Sequence, residues 1–433
     1  METIKKKAVE TTTLSRVPVG EQKSWIDIAN IQAGVIICVP SLMYGGMLAE
    51  GMDFLPAMIA GILGYGAAII VTTIMGLQGH DLGMPTCVIS VSSFGEKGSR
   101  ILLSSLFSIS LIGWFALQTN VCGAAFSNLM APTFGISVPL WISTALWGII
   151  MLITAVYGIN ALTKLNNLAV PALLVVSGYG MYLALHQFGT GALSATGTGT
   201  MSIMTGAELG FSFCAVGAVI AEDVTRYQRS RKDTVKSSFY GILPAGILMT
   251  LMGYVMSKAT GNYDISMVMA DIGIPLLGMI VLVLATWTTN TTNSYSAGID
   301  FVMLFNLKDD KRALATLVAG AIGTIFAMGG AINHFQGFLF WVGYLFTPIA
   351  GIMIADYWIL RKGDPSRWEM KPGIDWIAIV SWALGVLVTT RYPVWSAILS
   401  GMVASMFSFV VLKRIAIKMA VPVPVEEQND VVS

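Results

Sequence analysis

Long apolar stretches alternate with short polar ones along almost the whole chain. A membrane-spanning helix needs about 20 apolar residues, because ~30 Å of hydrocarbon is crossed at ~1.5 Å per residue. Twelve stretches qualify, at roughly 26–48, 54–77, 98–121, 137–158, 163–186, 206–225, 236–257, 272–297, 312–331, 336–360, 373–389 and 394–413. They lack the every-second-residue alternation of a membrane barrel, and in hydrocarbon only a helix or a closed barrel satisfies its own backbone. The pattern therefore predicts an all-α polytopic membrane protein of twelve spans. Between the second and third spans, Gly79 to Gly98 is too polar and too rich in Gly and Pro to cross. It predicts a cytoplasmic re-entrant or surface element.

Charge tests the span count independently, since short cytoplasmic loops are enriched in Lys and Arg. With the N-terminus in the cytoplasm, 23 of the 25 Lys and Arg fall on that side, and only Lys258 and Arg391 do not. One missed or extra span would scramble this alternation, so both termini are expected in the cytoplasm. The first residues carry Lys5–Lys7 and then stay polar with no apolar run, so no cleavable signal is expected. Overall, 55% of residues are hydrophobic and 11% charged, against about a quarter charged in a soluble domain. A net charge of +1 supplies no basic field for a nucleic acid. Cys38, Cys87, Cys122 and Cys214 lie in or beside apolar runs with no CxxC pair, and read as small buried hydrophobes.

Three spans carry unusual chemistry. The first has Pro40 near its middle, then Ser41 and Gly45-Gly46, and the sixth contains the glycine-bounded run Gly210 to Gly217. Each can unwind at mid-membrane and offer backbone groups to a ligand. Breaks five spans apart predict a five-plus-five inverted repeat. The same residues also suit a tolerated kink and close helix packing. The eighth span reads Ala285-Thr286-Trp287-Thr288-Thr289-Asn290-Thr291-Thr292-Asn293-Ser294. Six hydroxyls and two carboxamides there should face protein, water or an ion rather than lipid. Thr288 and Thr289 can give hard oxygen ligands to Na⁺, joined by carbonyls of an unwound first helix near Val35 and Cys38. A hydroxyl-rich packing seam is the alternative.

Glu50, Asp53, Glu208, Glu222, Asp223, Asp300 and Asp356 all map near span ends. A central carboxylate costs about 3 kcal/mol and usually marks a proton relay. A cation held on neutral oxygens is then the simpler coupling. In the third span Trp114 and Gln118 are i,i+4 partners, a stacking surface beside an amide, which suits a flat heterocycle with several hydrogen-bonding edges. An interfacial Trp with a packing Gln is the plainer reading. An intramembrane enzyme would need nucleophile–base pairs or metal ligands, and no HExxH, GxSxG or paired Asp is present.

Four segments carry a resemblance: Ser93-Phe94-Gly95-Glu96-Lys97-Gly98-Ser99, Gly113-Trp114-Phe115, Trp287-Thr288-Thr289-Asn290, and Pro348 through Ala350-Gly351-Ile352-Met353-Ile354-Ala355-Asp356-Tyr357. From about residue 25 to 410 the chain resembles the bacterial cytosine permeases of the nucleobase–cation symporter family, which includes the hydantoin transporter. The resemblance implies a LeuT-like inverted-repeat core at 25–360 and two peripheral helices at 361–413, between cytoplasmic tails at 1–24 and 414–433. It implies import of a nucleobase with Na⁺ as coupling ion across the inner membrane. A monomer in membrane lipid is expected, with no other cofactor.

By position, Trp114 and Phe213 are the two stacking faces around the base. Gln118 matches an amide of the hydantoin branch, and Ser212-Phe213 matches a Ser-Phe of the sixth helix. Asn290 and Ser41 are the remaining candidate substrate contacts. The ion ligands are the Thr288 and Thr289 hydroxyls with carbonyls of Val35 or Cys38 and of Ala285. The chain departs from the cytosine permeases at Leu111 and Ala285, where they have a glutamine and an asparagine. The sixth helix aligns only with a one-residue slip between Gly217 and Asp223. The substrate therefore stays open among cytosine, other pyrimidines or purines, hydroxymethylpyrimidine, allantoin and hydantoin, as does Na⁺ against proton coupling.

Overall fold

A computed structural model describes residues 16–157, 159–190, 193, 197–308, 311–392 and 396–420. Lys5–Lys7 and the tail from residue 421 lie outside the described residues. The helices are α1 (Trp25–Ile36), α2 (Val39–Gly51), α3 (Phe54–Leu82), α4 (Thr86–Ile89), α5 (Val91–Phe94), α6 (Glu96–Gly98), α7 (Ser104–Phe134), α8 (Leu140–Tyr157) and α9 (Ile159–Phe188). They continue as α10 (Ile203–Val219), α11 (Ala221–Thr225), α12 (Arg231–Thr260), α13 (Ile265–Asp271), α14 (Pro275–Leu304), α15 (Arg312–Met328), α16 (Phe335–Ile354), α17 (Trp376–Arg391) and α18 (Ala397–Ala420). Among the described residues the one β pairing is an isolated bridge between Lys23 and Gln228. Among the described residues seven helices are long and apolar enough to cross a membrane, α1 with α2 forms one bent span, and four further apolar helices are shorter, which is consistent with twelve spans.

The first span is broken beside Cys38, where carbonyl ligands were expected, and not at Pro40 or Gly45-Gly46. The chain bends by 57° between α1 and α2, at Ile37–Cys38. Pro40 sits in the first turn of α2, where a missing N–H costs nothing. Gly45 lies in unbroken helix: a Cβ there would fall 2.3 Å from the Thr250 carbonyl oxygen, so the glycine sets how closely α2 approaches α12. The break carries its own caps. The Ser41 hydroxyl donates to the Ile36 carbonyl at 2.5 Å, and the Ser41 N–H donates to the Cys38 carbonyl at 3.2 Å.

The sixth span differs likewise. Gly210 to Gly217 stays helical, and the break comes later, at Ile220 between α10 and α11. Glycine permits unwinding without imposing it, and here Gly210 packs against the Tyr44 ring. The segment after α3 is neither a loop nor a crossing. It folds into the short helices α4, α5 and α6, with Ser90, Ser92, Ser93 and Phe94 buried.

Helix packing divides the core into two groups. One comprises α1, α2, α3, α10, α11 and α12; the other comprises α7, α8, α14 and α15. The helix α9 bridges α12 and α14, while α16 packs on α10 and on the peripheral pair α17–α18. The first two and the sixth and seventh spans thus pack together, as do the third and fourth with the eighth and ninth. That is the arrangement of a five-plus-five inverted repeat.

The charge partition of the sequence is visible as co-location at two ends. Arg231 makes a bidentate contact with Asp81 at 2.6 and 2.8 Å, and the Tyr357 hydroxyl donates to the same carboxylate at 2.8 Å. Arg361 reaches Asp356 at 3.1 Å, and Ser92 and Ser93 donate to that carboxylate at 2.6 and 3.2 Å. Lys413 and Lys371 both pair with Asp375. At the opposite end Lys258 donates to the Ala49 carbonyl, and Asp53 accepts from the Gly197 N–H.

Candidate substrate and ion site

Trp114 on α7 stands where the two helix groups meet. Its ring lies 5.7 Å from that of Phe213 on α10, at 89°. Two aromatics of α16 complete the surround: Phe338 at 5.0 Å and 88°, and Phe335 at 6.4 Å and 68°. A Cβ on Gly113 would fall 2.3 Å from the Phe338 ring, so the glycine before Trp114 lets α16 lean this close. The parallel sandwich expected of Trp114 and Phe213 is absent: the rings meet edge to face and leave no slot between them. Phe213 also lies within continuous helix, not at an unwound turn. Sequence reasoning found two of the four rings. Phe335 and Phe338 were missed because an aromatic-rich helix start reads as ordinary membrane packing.

One turn along α7, Gln118 is 2% exposed and its side-chain oxygen has no hydrogen-bond partner. A buried amide left unpaired costs free energy, so it marks a place where a partner belongs. Ser212 turns elsewhere. Its hydroxyl faces Gly343 of α16, where a Cβ would lie only 2.3 Å away, and it too is buried and unpartnered. Asn290 is committed to α7: its amide nitrogen donates to the Phe115 carbonyl at 3.0 Å and to the Thr119 hydroxyl at 2.9 Å. Ser41 is engaged at the first-span break. The structure thus brings Trp114 against Phe213 with Gln118 one turn along α7, and places Ser212 and Asn290 in helix seams and Ser41 at the first-span break.

The six hydroxyls of the eighth span are not orphans. Each donates back to a carbonyl three or four residues earlier on α14, Thr286 to Leu282 and Thr291 to Trp287 among them. Thr288 and Thr289 both donate to the Ala285 carbonyl, at 3.0 and 2.9 Å. A hydroxyl that has given its proton to its own helix shows only lone pairs to anything else, which is what a cation ligand must do. The Ala285 carbonyl is meanwhile crowded with donors. Coordinating an ion through it requires the two hydroxyl protons to turn away. Val35 lies in the last turn of α1, where carbonyls lose their helical partners, and Cys38 is the N-cap of α2, its carbonyl already accepting from the Ser41 N–H. The helix α2 only brushes α14, so the two halves of the expected ion site sit on adjacent but unpacked elements. Trp287 points away from both: its indole N–H donates to Thr154 at 3.1 Å.

A family model described as a permease for cytosine and purines, uracil, thiamine and allantoin matches residues 17–413. The chain belongs to that permease family. It is 29% identical to the cytosine permease of Escherichia coli K12 over 384 residues, covering 86% of each chain. It is 24% identical to the hydantoin permease of Microbacterium maritypicum, covering 84% of this chain and 81% of that one. Among solved structures, the inward-facing conformation of Mhp1 superposes with a TM-score of 0.81 at 21% identity, covering 96% of this chain and 95% of that one. A closed conformation of Mhp1 with bromovinylhydantoin bound gives 0.77 at 19% identity, covering 95% of this chain and 96% of that one. The permease is therefore a multi-pass membrane protein of the Mhp1 fold, as the spans and the sequence motifs had led one to expect.

Proposed function

We propose that this permease is a secondary active symporter. It carries a nucleobase, cytosine or a related pyrimidine or purine, into the cell with Na⁺ by alternating access. The observation that carries the reading is the unpartnered, buried oxygen of Gln118 one turn from Trp114, at the seam between the two helix groups. The relatives' names fit one chemistry. Cytosine, hydantoin and allantoin all present flat rings edged with N–H and C=O groups, which an aromatic surface and an amide can read. Thr288, Thr289 and Ala285, with carbonyls of the first-span break, would bind the ion. One Na⁺ moving down ~100 mV releases about 2.3 kcal/mol, roughly 50-fold accumulation.

The basic residues gathered at one end support cytoplasmic termini and an inner-membrane location. The protein would act as a monomer, its core at 25–360 flanked by the helices of 361–413. A second reading, proton coupling with another planar heterocycle, is favoured by one observation. Glu222 is fully buried beside the Ile220 break; it accepts a hydrogen bond from Thr86 at 2.9 Å, and its other oxygen is unpartnered.

Uptake of labelled cytosine, adenine, uracil and allantoin into proteoliposomes, under separate sodium and pH gradients, distinguishes these readings. Sodium-dependent uptake of one base supports the first. Uptake driven by a pH gradient and indifferent to sodium supports the second. Uptake of none of the four overturns the choice of substrate class.

A further inference from the structure

A surface corner at the start of the first span remains after the transport site is accounted for. Trp25 opens α1 and its ring meets Tyr240 of α12 at 5.6 Å and 47°. The Lys236 ammonium lies over the Trp25 ring, 5.8 Å from its centroid. Phe239 packs edge-on against Tyr240 at 5.3 Å, and both rings are outward, 45% and 56% exposed. Tyr and Trp collect at headgroup depth because one edge of each ring prefers water and the other hydrocarbon. The corner thus stands at the membrane surface on the face where α1 packs against α12.

Its charge is unbalanced. Several other cations have carboxylates: Arg231 has Asp81, Arg361 has Asp356, and Lys371 and Lys413 share Asp375. Among the described residues Lys236 forms no ion pair, and neither does Lys232 one turn earlier. The nearby Asp27 carboxylate is taken up by the Ser24 N–H and hydroxyl at 3.1 and 2.7 Å. Asp233 shares the first turn of α12 but is not paired with Lys236.

We propose that Trp25, Lys236 and Tyr240 form a binding site for the phosphate of an anionic phospholipid. The bound headgroup would tether α1, the shorter half of the broken first span, to the bilayer surface. The lysine supplies the counter-charge, while the aromatic rings hold its ammonium in place and bury the upper acyl chain. A charge held in this way selects acidic over zwitterionic lipid by about five-fold per lysine.

The test uses the full-length permease in nanodiscs of phosphatidylcholine, with and without phosphatidylglycerol. Native mass spectrometry counts retained lipid, and thermal unfolding follows its effect. Phosphatidylglycerol should be retained on the wild type and raise its melting temperature. Lys236→Gln should cut that retention about five-fold, and Lys236→Arg should restore it. Melting in phosphatidylcholine alone shows whether each variant is folded; if Lys236→Gln is impaired there, the comparison passes to Lys236→Arg against Trp25→Leu, which removes only the ring platform and should lose retention. Equal losses for Lys236→Gln and for Lys418→Gln on α18 would reduce the effect to diffuse charge and overturn the site. So would an equal rise in melting temperature on adding inorganic phosphate to phosphatidylcholine nanodiscs, since the ligand would then not be a lipid.

Discussion

Replacing Gln118 with leucine should raise the stability of the ligand-free permease and lower its affinity for the base. The side chain is 2% exposed and its oxygen has no partner. A buried polar group in that condition costs on the order of 1–3 kcal/mol. Leucine is of comparable size and carries no polar atom, so the substitution removes the cost without opening a large void. The same hydrogen bond, once made to a ligand, is worth roughly 0.5–1.5 kcal/mol net, or about 2- to 10-fold in affinity. Thermal unfolding without ligand gives the first quantity. Equilibrium binding of labelled bases to the purified protein in saturating sodium gives the second. A merely structural glutamine predicts the opposite pairing, lower stability with unchanged affinity. That result would refute the assignment of Gln118 to the substrate.

Three further expectations follow from the same geometry. Trp114→Ala should weaken base binding roughly 5- to 150-fold, as expected for losing one stacking face, while Trp114→Phe keeps much of it and Trp287→Phe, whose N–H serves Thr154, leaves it unchanged; equilibrium binding to the three purified variants decides. Thr288→Ala or Thr289→Ala should lower sodium affinity several-fold and base affinity with it, because linkage is reciprocal, whereas Thr→Ser retains both; a titration of base binding against sodium concentration shows whether the coupling exists. Gly253→Ala should disrupt the fold by about 3 kcal/mol or more, since its Cβ would lie 2.0 Å from the Leu42 carbonyl oxygen. Gly217→Ala, with open space around it, should be neutral or stabilising by up to about 1 kcal/mol, and unfolding curves of the two compare directly.

The apolar helices and the multi-pass character were legible because the bilayer imposes a length rule on sequence directly. The placing of Trp114 and Gln118 on one face of α7, the first partly buried and the second fully, followed from helical periodicity. The breaks were located only to within a few residues. Proline forbids a hydrogen bond to its own nitrogen, but it is at home in a first turn, so the bend falls before Pro40 and not at it. Glycine allows both unwinding and close contact, and Gly45 and Gly210 are used for contact. Asn290 illustrates a different limit. A carboxamide next to the ion ligand Thr289 looks like a site residue in sequence, but only the α7–α14 packing shows that its nitrogen is spent on Phe115 and Thr119. The bonding of the α14 hydroxyls was hidden in the same way, because a chain written in one dimension does not show that each bonds back to its own helix. The aromatics of α16 were invisible as site residues, since what makes them so is the missing side chain at Gly113.

A ligand drives a conformational change only as far as it binds the two conformations differently. On the proposed site, Trp114 belongs to one helix group and Phe213 to the other, so whatever sits between them reports on their separation. The two rings touch edge to face at 5.7 Å, a contact worth about 0.5–1.5 kcal/mol beyond its buried area. Admitting a base between them means giving up that contact, and the packing of Phe338 on Trp114 is disturbed at the same time. Stacking returns about 1–3 kcal/mol for each face. One covered face roughly offsets the lost contact, and a flat ligand that covers both leaves a clear surplus for the separated rings. A narrow or non-planar solute would break the ring contact without replacing it. Selection for planarity and the movement of one helix group against the other are then the same free-energy difference, and a substitution that weakens the Trp114–Phe213 contact should relax both together.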